Sequence, residues 1–484
     1  MFLLDNTSPD VLYCIDELII LNRWGDVVQN ILSWNEENKK FYKTLIFLCI
    51  PIIIQNLISN SVNVIDTIMV SNLGEKSIAA VGVANQFFFL FAMVTGGIFS
   101  GSGIFISQFY GKGDYENIKK TNALSVTLGL VFGLLFAIPA IFFPETIIHF
   151  FTYDETVVDL CSSYLKIVGF SYPITCISLA FSNSSRSIRN PKLGMICSLV
   201  ALLSNTILNY LFIFGNFGAP NLGVSGAAIA TLIARILECA LMVSYVYFYK
   251  KDYVLKFKLK DMKNINKKFI SSFFDKSSPV IINDATWALG TVLYSVAYSK
   301  AGTSAIAASQ IATSVQNFFI MTSVCIAIGS SIMIGNELGA NNKKIAIDYA
   351  KKFSVLISIV GSIFGIILYL NIPLLLRLFS VSSGLSGDIS NIFIVMGLFM
   401  GLRAFNIFLI VGMLRSGGDT KFSLFLELGC MWLFSIPLTF LAAYNGAPVY
   451  ILVLISYTEE ITKFIFGIPR AISKKWANNI VENM

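Results

Sequence analysis

One constant offset organises this chain. Adding 228 to the residue number carries Pro51 onto Pro279, Ser71 onto Ser299, Gly74 onto Gly302 and Ile78-Ala79-Ala80 onto Ile306-Ala307-Ala308. It also carries Gly101-Ser102, Ile104, Ile106 and Gly111 onto Gly329-Ser330, Ile332, Ile334 and Gly339. No gap is needed over this stretch, so the chain is a duplication. Two like halves of apolar spans are a recurring plan of membrane carriers, with the path between the halves.

The spans follow from hydropathy. Apolar runs of twenty or more residues, each able to cross about 30 Å of hydrocarbon, fill the sequence from Thr44 onward. With 55% hydrophobic and 13% charged residues, an ordinary soluble fold is excluded. Six spans are expected at 44–71, 77–110, 117–143, 157–187, 192–215 and 224–249. Six more are expected at 270–299, 304–338, 345–376, 387–416, 420–444 and 447–471. The fold class is therefore an all-α integral membrane protein, with twelve transmembrane helices in two six-helix lobes related by pseudo-two-fold symmetry. An even number of spans per half makes this a parallel repeat, with its axis along the membrane normal.

The expected organisation is an amphipathic segment at 1–40, an N lobe at 41–249, a basic linker at 250–268, a C lobe at 269–471 and a tail at 472–484. The first segment has no basic start or cleavage site and reads as lying on the membrane. Lys112, Lys119, Lys120, Arg186, Arg189, Lys192, the linker lysines, Lys343, Lys344, Arg415, Lys421, Lys474 and Lys475 fall on one side. The other side has little beyond Lys76, Lys300 and Arg377. By the positive-inside rule both termini are cytoplasmic, and the net charge of +7 reflects topology rather than nucleic-acid binding. The eight scattered cysteines suggest neither a disulfide framework nor a metal site, and His149, the only histidine, reads as interfacial.

Asp66 is the residue most in need of a reason. It stands in an otherwise uncharged, largely apolar run, where a carboxylate costs a few kcal/mol at membrane depth and is usually functional. Asn56, Asn60, Asn63 and Asp66 follow at i, i+4, i+7 and i+10, and are expected to share one face lining a cavity with Gln86. A packing stripe is the plain alternative. Pro51 lacks a backbone N–H and weakens its helical turn. It lies fifteen residues from Asp66, about 22 Å of helix, and is either a hinge or a static kink. In the second half the partner of Asp66 is Tyr294. Asp284, Trp287, Thr291, Tyr294 and Tyr298 form a polar-aromatic stripe, with Asn406 expected to face it. Asp284 is expected either to line the cavity or to pair with Arg403, a structural pair being the plain alternative to a site. Arg186 and Arg415 are expected to close loops, and Glu427, Glu459, Glu460 and Lys463 are given no role.

The motifs "VIDTIMVSNLGEKSIAAVGVANQ", "ISQFYGKGD", "SSRSIRNPK", "NTILNYLFIFGNFGAPNLGVSGAAIAT", "NDATWALG" and "LRSGGDTKF", in this order, resemble the multidrug and toxic compound extrusion (MATE) family of antiporters. The likeness runs from about Pro51 to Trp476. It implies a two-lobed V whose central cavity exports cationic, often aromatic compounds in exchange for protons or sodium ions. Asn205 and Asn209 share a face by their spacing. The resemblance brings that face to Asp66 and adds Tyr164 nearby. Some members carry an Asp where Asn209 stands, which leaves Asp66 as the single expected carboxylate of this lobe. Members that use sodium carry an acid on the tenth helix that is absent near Asn406.

The expected function is therefore export of cationic or amphipathic small molecules by ion antiport with rocking lobes. The transported ion is a proton or sodium, at Asp66 or Asp284. No cofactor, structural metal or nucleic acid is expected, and no enzymatic nucleophile–base pair is visible. The chain is expected as a monomer in the lipid bilayer of the inner (plasma) membrane. A lipid-linked oligosaccharide flippase of related fold is the alternative, and would need cavity Arg or Lys. A membrane scaffold or sensor is a third.

Overall fold

The computed structural model describes residues 35–249, 253–263, 265–379, 381, 383–482 and 484. Most of the amphipathic segment expected at 1–40, its first 34 residues, lies outside them. The first helix, α1, runs through Glu36–Ser71, starting before the expected span. It is followed by α2 (Glu75–Lys112) and α3 (Tyr115–Phe142). Next comes α4, made of Glu155–Gly169 and Ser171–Ser187 with a 48° bend between them. Then follow α5 (Lys192–Phe214) and α6 (Gly223–Tyr249). The second half repeats the order with α7 (Lys267–Ser299), α8 (Thr303–Gly339), α9 (Lys343–Leu370), α10 (Gly384–Leu414) and α11 (Thr420–Tyr444). It closes with α12, built of Val449–Ser456 and Thr458–Ile472. The ninth span ends at Leu370, before its expected limit, and a separate short helix follows at Ile372–Leu378.

Ten of these helices are long and apolar enough to cross a membrane, and α4 joins them as one bent span. The charged residues Glu459, Glu460, Lys463 and Arg470 lower the hydropathy of α12. Three of them are nonetheless buried against neighbouring helices. The fold is two six-helix lobes, and the duplication is visible in its geometry. Pro51 and Pro279 sit inside α1 and α7. Gly74 and Gly302, which precede α2 and α8, adopt φ 102° and 107°, a region that suits glycine.

Starts of helices are fixed by short polar side chains that accept otherwise orphaned N–H groups. Asn35 accepts from the N–H of Asn38 at 2.7 Å, Asp114 from that of Asn117 at 3.1 Å and Asn266 from that of Phe269 at 2.7 Å. Each lobe is filled by its own aromatic core. Phe91 stacks on Tyr172 at 4.8 Å in the N lobe, and Phe353 meets Phe408 at 6.0 Å in the C lobe. Helix α1 belongs to both, because Phe41 near its start packs on Phe353 at 5.0 Å.

The lobes meet from the end that carries the basic loops to about the middle of the spans. There α2 lies along α7, with Phe105 on Phe273 at 5.5 Å and Phe109 on Phe269 at 6.2 Å. Midway, Gly97 faces Ile281 and Gly101 faces Ser277 so closely that a Cβ at either would clash. The linker is docked on the N lobe at Tyr253 and Leu255. Asn122 donates to Leu255 O at 2.9 Å, and Asn190 to the Tyr253 hydroxyl at 2.9 Å.

Candidate functional site

Asp66 sits in the half of α1 away from the basic end and is 7% exposed. Its Oδ1 accepts from Asn209 Nδ2 at 2.5 Å. Asn209 also reaches Asn205 Oδ1 at 3.2 Å, and Asn205 donates to Thr231 at 3.3 Å. The i, i+4 pair on α5 thus faces the carboxylate, with Asn209 in closest contact and Asn205 behind it as a weaker partner. Tyr164, Asn63 and Arg235 wall a cavity of about 30 Å³ against Asp66, room for about one water. Arg235 is committed elsewhere, to Glu238 at 2.9 Å, and Glu238 also accepts from Ser198 at 2.8 Å. Glu238 corrects the expectation of a single carboxylate in this lobe. Its arginine partner makes its burial affordable, and the i, i+3 spacing was the available signal.

The asparagine stripe is split. Asn56 and Asn60 reach across to α8, to Cys325 Sγ at 3.1 Å and Met321 Sδ at 3.0 Å. Ten residues at 3.6 per turn leave Asp66 about 80° around the helix from Asn56. That rotation turns Asp66 into its own lobe, so the four residues do not share one face. Gln86 is exposed on the side of α2 that lower down meets α7, and Pro51 is buried within an unbroken α1.

The C lobe is built differently. Asp284 does not pair with Arg403 but with Arg415, at 2.7 Å, near the basic end. Arg403 lies twelve residues earlier on α10, about 18 Å along the helix axis, beyond the reach of Asp284. It faces Glu460 at 3.6 Å and Gln316 at 3.1 Å. Asn406 likewise belongs to Glu460, donating to its carboxylate and its backbone carbonyl at 2.8 Å each, so it does not share a site with Asp284. A guanidinium already neutralises Asp284, which removes the reason for sodium there.

The residues given no role hold the centre of this lobe. Lys463 lies between Glu427 and Glu459, 2.5 Å from the latter, and all three are buried. Tyr294 donates to Glu459 at 2.6 Å, so the tyrosine at the position of Asp66 reaches a carboxylate from another helix. Three carboxylates, Glu427, Glu459 and Glu460, meet two cations, Lys463 and Arg403. Wide π turns follow Asn406 and Glu427, at Phe408–Leu414 and Gly429–Ser435. Such turns are frequent at functional sites. Glu459 and Glu460 open onto a cavity of about 270 Å³, with Trp287, Tyr294, Tyr298 and Tyr457 in its wall. The carboxylate of Glu427 inside an apolar span, and the Glu459–Lys463 spacing, were readable signals. Among the described residues no group of three His, Cys, Asp or Glu has the arrangement of a metal site.

Known proteins agree with this architecture. The MatE family profile matches residues 51–211 and 279–441, its two segments beginning at the paired prolines. The probable multidrug resistance protein NorM of Mannheimia succiniciproducens is 26% identical over 420 residues, 86% of this chain and 88% of that protein. The bent form of the MATE transporter VcmN of Vibrio cholerae superimposes with a TM-score of 0.81 at 18% identity, covering 91% of this chain and 99% of that one. An outward-facing multidrug resistance MATE family transporter of the MOP superfamily gives 0.79 at 19% identity, covering 90% and 96%. With both halves matched and the fold shared over nearly its whole length, the chain belongs to the MatE family of multi-pass membrane transporters.

Proposed function

We propose that the protein is a secondary active antiporter of the inner membrane. It exports cationic or amphipathic small molecules and takes up protons or sodium ions, with its basic end and both termini cytoplasmic. The observation that carries this is Asp66, a buried carboxylate held by a neutral amide while the nearest guanidinium is engaged by Glu238. A charge removed from water without an ion-pair partner has to be met from outside the protein. The pocket is too small for a drug and fits a small ion or a water, so the ion enters the pocket while the substrate occupies the cleft beyond it.

Exchange then follows from a difference in affinity between two states. The charged carboxylate favours a cationic substrate. Once a proton or sodium ion neutralises it, the substrate is released outward. Rocking of the lobes, with Pro51 as the hinge of α1, carries Asp66 between the two exposures. The flippase alternative has less support, because its anionic substrate would meet an acid at this point. A second reading places coupling in the C lobe, at Glu459 and Glu460. It is favoured by the surplus carboxylate of that network and by the cavity it faces.

Proteoliposome transport tests both readings, with proton and sodium gradients imposed separately. Wild-type protein should accumulate a fluorescent organic cation under one gradient, and Asp66→Asn should not. Full activity in Asp66→Asn together with loss in Glu459→Gln would move coupling to the C lobe. Activity unchanged in both would sink the antiport mechanism.

A further inference from the structure

At the basic end the lobes are joined by two amides that the duplication places at equivalent positions. Gln108 on α2 and Asn336 on α8 are 228 residues apart, and both are buried. The helices cross so closely there that a Cβ on Gly111 would lie 1.8 Å from Asn336 O, and one on Gly339 would lie 1.8 Å from Gln108 O. Asn336 donates into the N lobe, to Ser107 O at 3.0 Å and Ser187 O at 3.4 Å. Gln108 donates into the C lobe, to Ser416 O at 2.8 Å.

Ser187 and Ser416 occupy matching turns. Arg189 and Gly418 each bond back to the arginine three residues earlier, at 3.0 Å, and both have positive φ, 61° and 72°. The two halves differ in what meets the amide oxygen. In one, Arg189 Nε donates to Asn336 Oδ1 at 2.6 Å. In the other the arginine position is Gly418, which has no side chain to give. There the backbone N–H of Ile480, from the tail, donates to Gln108 Oε1 at 2.8 Å. The Ile480 side chain fills the space at Gly418, 2.4 Å from where a Cβ would stand. The tail is anchored in both lobes. Trp476 is buried in the C-lobe core and Val481 in the N-lobe core, and Lys112 donates to Val481 O at 2.6 Å.

We propose that residues 476–481 complete the cytoplasmic gate, standing in for the arginine that the second half lacks, and that they must leave Gln108 before the protein opens inward. Because the strap is fixed to both cores, the lobes cannot part at this end without breaking its bonds to one of them. The proposal rests on the antiport reading only for the direction of opening.

Spin-label distances between Tyr115→Cys and Lys343→Cys, both exposed at the basic end, test it in a cysteine-free background. They are measured without substrate or gradient, so the outcome is independent of which carboxylate couples. Ending the chain after Lys475 should raise the ratio of long to short distances about tenfold. Ile480→Pro, which removes the N–H donor and the side chain set against Gly418, should shift the same ratio in the same direction, as should Arg189→Ala from the other half. Gly418→Arg in the shortened chain should return the distribution toward the closed state, a rescue that general loss of stability would not give. A shortened chain or an Ile480→Pro variant that stays closed overturns the proposal, as does a shortened chain that Gly418→Arg leaves open.

Discussion

The two lobes solve one problem in opposite ways. Both bury a carboxylate beside the cleft, but the N lobe surrounds Asp66 with amides in a space of about 30 Å³. The C lobe embeds its carboxylates among lysine, arginine and tyrosine beside a space of about 270 Å³. An amide-held charge is cheap to neutralise by an incoming ion, because no resident cation loses its partner. A charge locked to Lys463 is costly to neutralise, because that step would leave a buried ammonium short of a partner. On the proposed reading, exchange belongs to the first lobe and rigidity to the second.

The largest expected effect tests that assignment directly. Asp66→Asn should bring gradient-driven efflux down to the level of empty liposomes, since a neutral amide neither takes up a proton nor carries the charge that holds a sodium ion. Unfolding in detergent should be nearly unchanged, because Asn can still bond Asn209. If efflux persists in this variant, the division of labour between the lobes is reversed.

Next comes Lys463→Met. It removes the cation between Glu427 and Glu459 and leaves buried charges unpaired, a loss of about 3–5 kcal/mol. Thermal unfolding of the purified protein should show it, and adding Glu427→Gln and Glu459→Gln should recover most of it. A stable Lys463→Met protein would mean that the C-lobe network is as adaptable as the Asp66 pocket.

What the sequence could show follows the same divide. The spans and the duplication were legible because they rest on local periodicity and a constant offset, whereas the meeting of Asp66 with the Asn205–Asn209 face came from the family resemblance. The polar stripe was misjudged by a rotation, since i, i+10 drifts far enough around a helix to change lobes. Asp284 and Arg403 were offered as one possible pair of opposite charges, but their depths along the axis differ, and Arg415 and Glu460 claim them. Depth is set by how helices stack, which no spacing within one helix reveals. Glu427 on α11 was given no role, as a charge expected near an interface or in a pair, and Glu459, Glu460 and Lys463 on α12 were given none either. The polar face of α12 turns inward to the lysine and the carboxylates. The tail reads as polar, yet Trp476 and Val481 are buried, one in each lobe.

A smaller effect separates contact from surroundings within the N lobe. Asn209→Ala removes the stronger hydrogen bond to Asp66, while Asn205→Ala removes a weaker one and the partner of Asn209. The first should lower efflux about tenfold, taking about 1.5 kcal/mol for a hydrogen bond to a charged group, and the second about fivefold, taking about 1 kcal/mol for one between neutral groups. Equal effects would show that the pair acts as a single network and not through Asn209 alone.

The smallest expected effect concerns the ends of the lobes away from the basic face, where the same contrast recurs. In the N lobe, Lys76 on α2 pairs with Asp154 at 3.3 Å, and Asp154 caps α4 by accepting from the N–H of Val157 at 3.2 Å. In the C lobe, Lys300 lies over the Tyr444 ring at 5.8 Å, with no carboxylate in that contact. The Val157 N–H first, and then Lys76, hold the Asp154 carboxyl below its ordinary range. A group whose folded value is depressed contributes stability above its unfolded value near 3.9, and that contribution is lost as pH falls through the folded value. Acidification below about pH 4 should therefore loosen the first turn of α4 and leave the contact at Lys300 unchanged. Hydrogen exchange of residues 155–158, followed from pH 6 to pH 3 after correction for the intrinsic rate, would show this. Asp154→Asn should remove most of that pH dependence, because asparagine still caps a helix but does not titrate. An identical pH response in Asp154→Asn would place the acid-sensitive contact elsewhere in the N lobe.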